Sequence, residues 1–264
     1  MTNTLHRFGK ASSFRDDIIV IALPAKGSQS GDPLPALRRF LEIAREYKPV
    51  NIGDSIGGAA LRSTRYKSFF AHWFRRNKPD FDQVIKTLTI PTTMSAVFDN
   101  LAAAQAFVKR LREEDMGISV NISSSLENAK SCCEHAGIPR HSVNYSLGFD
   151  GIGENVPNKH GLMLSTMCGH GMISHALAEK MIAFVKEGRR TPFEAAQSMQ
   201  RFCSCGIFNT SRAVRILEDA KIGAKEEFSG RTRCCGNNCP DCPFRTPDAR
   251  GDAQMALAGT SANP

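Results

Sequence analysis

The first clear hydrophobic pattern in the chain is Ile18–Leu23, an apolar run rich in β-branched residues that ends at Pro24 and suits a buried strand. A polar loop, AKGSQSGDP, follows. PALRRFLEIAREY then places Leu37, Phe40, Leu41 and Ala44 on one helical face. NIGDSIGGAA reads as a glycine-rich loop, without the lysine of a P-loop or the G-x-G-x-x-G spacing. From residue 94 the alternation becomes regular. MSAVFD reads as a strand, and Asp99 or Asn100 caps a helix carrying Leu101, Ala104, Phe107, Val108 and Leu111. Past Gly117, ISVNI is the next strand. The helix SLENAKSCCEHAG sets Leu126, Ala129, Cys133 and Ala136 on one side and stops at Gly137, and HSVNYSLGF reads as a third strand.

The pattern beyond is helical. After DGIGENVPNKHG and LMLSTMCGHG, the helix MISHALAEKMIAFVKEG presents Ile173, Leu177, Met181 and Phe184. Thr191–Glu194 has the form of a capping box with proline at the first helical position, and that helix runs to about Phe202, at CSCG. Asn209 or Thr210 caps a last helix, SRAVRILEDA, after which the chain is polar and basic. Strands and helices in this alternation predict an α/β fold, a mainly parallel sheet with flanking helices over residues 15–165. Residues 166–220 are expected to form a helical, cysteine-bearing segment closing over the strand ends. Residues 225–246 are expected to form a small metal-binding C-terminal tail, and 247–264 a disordered end.

Composition changes this picture in one respect. Of 264 residues 41% are hydrophobic and 23% charged, which is ordinary for a globular protein. No apolar run approaches the roughly 18 residues of a membrane span, and the N-terminus lacks an apolar signal core. The expected compartment is therefore the cytoplasm, where disulfides are disfavoured. Nine cysteines then need another use, and all of them follow residue 131.

They fall into constellations. Cys168, in CGHG, and Cys203 with Cys205, in CSCG, sit at expected helix boundaries. A helix start after Cys168 would favour a thiolate there, the form that both metal ligation and nucleophilic attack require. Gly169, Gly171 and Gly206 clear space around the sulfurs. Three thiolates suit an iron–sulfur cluster, [4Fe–4S] above all, with His170, another cysteine or a substrate at the fourth position. Cys133 lies on its helix's apolar stripe, whereas Cys132, rotated by about 100°, could face a site beyond the strand ends. Either could supply a fourth ligand. Cys234, Cys235, Cys239 and Cys242 lie within nine residues as CC-x3-C-x2-C among turn formers, a pattern that metal cross-linking explains, by zinc or an iron–sulfur cluster.

The last motif carries a resemblance. CCGNNCPDCPF resembles the short cysteine motif of the oxidoreductase-like proteins and of a related small uncharacterised bacterial family, through Cys234, Cys235, Gly236, Asn237, Cys239, Cys242 and Pro243. The resemblance implies a small metal- or cluster-binding module and no particular reaction. NYSLGF, TMCGHGMIS and CSCGIFN are similar to uncharacterised proteins of anaerobic bacteria, which implies cysteine chemistry without a substrate.

Charge adds a competitor. The net charge is +8, and six positive residues fall in 62–78 beside Tyr66, Phe69, Phe70, Trp73 and Phe74, an arrangement that can bind nucleic acid or simply form an amphipathic helix. His141, Asn144 and Tyr145 start the third strand and Asp150 follows its end, where open α/β sheets place ligands, and Asp54 and Ser55, in the glycine loop, could bind a polar substrate at the same crevice. The expectation from these features is an iron–sulfur redox protein or enzyme acting on a small substrate or with a redox partner protein. Cys168, Cys203 and Cys205 would hold the cluster, and Cys168 and His170 would serve catalysis. Two alternatives are a sulfur transferase with Cys168 as nucleophile and a zinc-dependent nucleic-acid-binding protein. Oligomeric state leaves no mark on the sequence.

Overall fold

The structure, a computed structural model, describes residues 3–25, 31–63, 79–140, 142–144, 146 and 158–228. Two short 3-10 turns, Asn3–His6 and Ala11–Phe14, lead into β1 (Ile18–Pro24). Because side chains alternate along a strand, β1 sends Ile18, Val20 and Ala22 into one core and Ile19 and Ile21 into another. All five are buried, which explains the unbroken apolar run. Then come α1 (Leu34–Glu46), β2 (Asn51–Asp54), β3 (Gly58–Ala59), β4 (Arg62–Ser63), α2 (Phe81–Lys86), β5 (Met94–Phe98), α3 (Leu101–Glu114), β6 (Ile118–Ser123) and α4 (Leu126–Ala136). Asn100 and Ser125 cap α3 and α4, each accepting a hydrogen bond from a first-turn backbone N–H.

The sheet corrects the expected parallel arrangement. Its order is β4-β3-β2-β5-β1-β6, and every pairing is antiparallel. Each helical crossover does join two parallel strands, but a third strand lies between them. β5 separates β1 from β2, and β1 separates β5 from β6. Two interleaved crossovers of this split βαβ kind make all neighbours antiparallel. The sequence alternation reports the crossovers and carries no information on which strand fills each gap. NIGD, expected as loop, is the strand β2. The expected third strand is not one at residues 142–144 or 146.

One sheet face is covered by α1, α3 and α4, where Phe107 packs against Phe40 and Phe98 at ring distances of 5.3 and 5.1 Å. The other face carries the C-terminal helices α5 (Lys159–Ser165), α6 (His175–Lys186), α7 (Pro192–Gln200) and α8 (Thr210–Phe228). These helices lie on Ile19, Ile21 and Val97, the face of the sheet, rather than only over the strand ends. The capping box of α7 forms as the sequence predicts, and Asn209 caps α8 by accepting from Arg212 N at 2.9 Å. The helix α8 continues past residue 220 to Phe228. No described helix is long and apolar enough to cross a membrane.

Candidate metal centre

Two loops of the helical layer meet on the sheet. The first leaves α5 through a turn at 166–168. Thr166 Oγ1 accepts from Phe8 N at 2.9 Å and donates to Leu162 O at 2.7 Å, fixing the turn to the N-terminal segment. Gly169 and Gly171 then take φ of +77° and +67°, a left-handed backbone that glycine adopts at little cost. These two reversals return His170 to the side of Cys168. The expected helix start after Cys168 is absent, because α6 begins only at His175. Cys168 therefore does not stand at the first turn of that helix.

The second loop, Cys203–Asn209, is fastened to the sheet by polar groups from three places. Ser95 on β5 donates to Cys205 O at 2.9 Å, and Asn51 on β2 donates to Phe208 O at 3.1 Å. Asn209 donates to Asp17, just before β1, at 2.9 Å. Gly206, at φ +75°, lies directly against Gly53 of β2. A Cβ added to Gly53 would stand 2.7 Å from Gly206 Cα, and one added to Gly206 would stand 2.5 Å from Gly53 Cα. Only two glycines allow this approach. Ser204 and Met172 meet at 3.5 Å and join the rims of the two loops.

The result is a cluster of three free thiols and one imidazole. The ligand atoms of Cys168, His170 and Cys205 all lie within 4.8 Å of one another, so these residues could hold a metal ion. Cys203 Sγ is 3.3 Å from Cys205 Sγ and hydrogen-bonds to Cys168. Cys168 and Cys203 are inaccessible, Cys205 nearly so, and His170 faces solvent. Hydrogen bonds from Cys203, Cys205 and His170 hold the Cys168 thiol far below its ordinary range, against the opposing effect of burial. Its neighbour Cys203, which makes these bonds as a thiol, is pushed well up. The imidazole of His170 is raised to about 10 by Cys168 and Cys205. Both shifts favour the same pairing, a deprotonated Cys168 beside a protonated His170.

The other sequence candidates distribute differently. Cys132 is wholly buried in the α1/α3/α4 core and Cys133 is only half-buried, the reverse of the expected facing, with Leu126 exposed. The helix is rotated so that Asn128, Cys132 and Ala136 turn inward. Cys132 lies on the far side of the sheet from Cys168, so it is not a fourth ligand there. Asp54 accepts from the backbone of Ile56 and Gly57 in a tight turn, and Ser55 pairs with Thr92. Asn144 is exposed. His141, Tyr145, Asp150, residues 64–78, the cysteines 234, 235, 239 and 242, and the 247–264 end all lie outside the described residues.

Gly53, Ser95, Asn51, Arg7, Asp17 and Arg212 surround the centre and escaped the sequence reading. One signal existed. In Val50-Asn51-Ile52-Gly53-Asp54 a glycine alternates with a polar residue inside a strand-length stretch, and a strand glycine often marks close backbone approach. Comparison of the chain with family models, curated proteins and solved structures gives no match.

Proposed function

We propose that this chain is a metal–thiolate protein in which Cys168, Cys203, Cys205 and His170 bind one divalent ion. The observation that carries this reading is the closeness of the donors, three of them within 4.8 Å. A tetrahedral zinc site, with Zn–S bonds of about 2.3 Å, sets its donor atoms roughly 3.8 Å apart. A four-iron cluster gives each ligand its own iron, so its thiolates stand farther apart than those around a single ion. Compactness therefore favours one ion, and three cysteines with one histidine suit zinc. The three sulfurs are the buried anchors. His170, on its two-glycine loop at the surface, is the ligand that a substrate or partner group can displace, and an ion with an open position acts as a Lewis acid.

A second reading has an observation of its own. The Cys168 thiolate and His170 imidazolium match the charge pattern of a thiol nucleophile and its base. Against it stands the complete burial of the Cys168 sulfur, which an electrophile would have to reach.

Metal analysis of anaerobically purified full-length protein, beside its Cys168→Ser variant, decides. The expected result is one zinc per chain fewer in the variant, without acid-labile sulfide. Iron and sulfide lost together in the variant would transfer the site to a cluster. Unchanged metal content in the variant, with rapid alkylation of one thiol in the wild type, would replace the metal reading by the thiol one.

A further inference from the structure

A charged cluster is buried against the cysteine loop, and its charges do not cancel. Asp17 is fully buried, Arg212 is 1% exposed and Arg7 5%. Arg212 Nη1 donates to Asp17 Oδ2 at 3.1 Å, and Arg7 forms an ion pair with the same carboxylate oxygen. Both guanidinium groups also lie over the Phe14 ring, at 4.1 Å for Arg212 and 4.8 Å for Arg7. Arg212 Nη2 donates to Phe8 O and Ser13 Oγ, each at 3.2 Å. Arg215 and Asp16 pair with each other farther out, and Arg215 still adds to the positive field on Arg212. Among the described residues, two guanidinium groups against one carboxylate leave one positive charge inside the protein. Arg7 Nε and Arg212 Nε also have no hydrogen-bond partner among the described residues. An uncompensated charge in such a place is strongly unfavourable.

The cluster touches the turn that carries Cys168. Arg212 Nη1 is 3.5 Å from Met167 Sδ, on the residue before the cysteine, and Phe8 N donates to Thr166 at 2.9 Å. Three thiolates and a neutral imidazole around a divalent ion carry one net negative charge. The surplus behind the centre has the opposite sign and the same size.

We propose that Arg7 and Arg212, held in place by Asp17, are the counterion of the metal centre: positioning residues that favour a divalent ion bound by three deprotonated cysteines. The proposal rests on the metal reading above and extends it to residues outside the coordination sphere. Burial first, and the neighbouring Arg212 second, push the Arg7 guanidinium well below its ordinary range, and Cys168 is the group that opposes this shift. The N-terminal segment thereby belongs to the centre, although some 160 residues separate Arg7 from Cys168 in the chain.

Cobalt(II) titration of the full-length chain tests this, through the thiolate-to-cobalt absorption that Cys168→Ser removes. Arg7→Met deletes the surplus charge and leaves Arg212 and Asp17 as a balanced pair, so the metal-free fold should persist. The variant should bind cobalt about 10–100-fold more weakly, the usual cost of losing a group that supports metal ligands. Arg7→Lys, which keeps the charge, should stay close to wild type. Wild-type affinity in Arg7→Met, or equal weakness in Arg7→Lys, would overturn the proposal and leave the metal reading intact. Failure of Arg7→Met and Arg7→Gln alike to fold would also overturn it, making Arg7 part of the scaffold. A wild-type protein with no cobalt signal sensitive to Cys168→Ser would sink the metal reading itself.

Discussion

The two faces of the sheet use the same strand to build opposite environments. On the face shared with α1, α3 and α4, Ile18, Val20 and Ala22 meet a core of hydrocarbon and aromatic rings. Among the described residues the one buried cysteine there, Cys132, has its thiol pushed up to about 11, first by burial and then by Cys133. On the other face, Ile19 and Ile21 underlie a layer that buries three thiols, two arginines and an aspartate. Cys168 is as inaccessible as Cys132, yet its thiol moves in the opposite direction. Burial alone raises a thiol, so what reverses the sign is the set of hydrogen-bond donors around Cys168. A buried cysteine is inert or poised according to its neighbours, and depth does not decide which.

The largest test of this contrast is Gly53→Ala. The added methyl would meet the Gly206 backbone at 2.7 Å, so the CSCG loop must lift from the sheet. A stability loss of about 3 kcal/mol is expected, as for an overpacked core, together with loss of the metal. Gly171→Ala is the control, because its methyl would meet nothing within 4 Å and only its φ of +67° is strained. That change should cost about 1–2 kcal/mol and reduce metal content less. Urea unfolding and metal analysis of both variants read the difference. Equal behaviour would show that the glycine–glycine contact does not organise the centre.

Replacing the cysteines separates the two faces more finely. Cys132→Ser puts a hydroxyl into hydrocarbon and should cost about 1–3 kcal/mol while metal content stays unchanged. Cys203→Ser should remove the metal of this centre and disturb the metal-free fold less, since Cys168 and Cys205 offer its hydroxyl partners. Metal loss in Cys132→Ser would mean that the hydrocarbon face is not merely structural.

How much of this was legible in the sequence follows from the range over which each feature is encoded. Caps and stop signals are local, so Thr191 with Glu194 was readable from neighbouring residues, and the choices Asp99 or Asn100 and Asn209 or Thr210 were narrowed to adjacent pairs that the structure resolves to Asn100 and Asn209. Cys168, Cys203 and Cys205 stood out because glycines flank them, and the structure brings all three together. The sheet was misread because strand order depends on which distant strand enters between β1 and β2, and no local spacing records that. The floor of the centre was invisible for the same reason. Gly53 and Gly206 are meaningful only as a pair 153 positions apart, and Arg7 only when Asp17 and Arg212 are beside it. Cys132 and Cys133 exchanged roles through a rotation of one residue, within the tolerance of any periodicity argument on a short amphipathic helix.

The smallest effect expected is a pH dependence confined to the metal-free protein, and its sign can be worked out. His170 is raised from 6.5 to about 10, so its contribution to stability is complete below about 6.5 and is lost as pH climbs through 10. Cys168 is depressed from 9.0, so its contribution is complete above about 9 and is lost as pH falls toward its folded value. Between 6.5 and 9 the two slopes cancel, because folding merely transfers one proton from the thiol to the imidazole. Metal-free protein should therefore show a stability plateau across that window, with decline on either side. His170→Gln removes the imidazole term and should convert the plateau into a stability that rises with pH up to about 9. Thermal unfolding of chelator-treated protein from pH 5 to 10 measures this, with Cys132→Ser as the control that keeps the plateau. A plateau that survives in His170→Gln would place the thiolate's partner elsewhere and remove the imidazolium from the account.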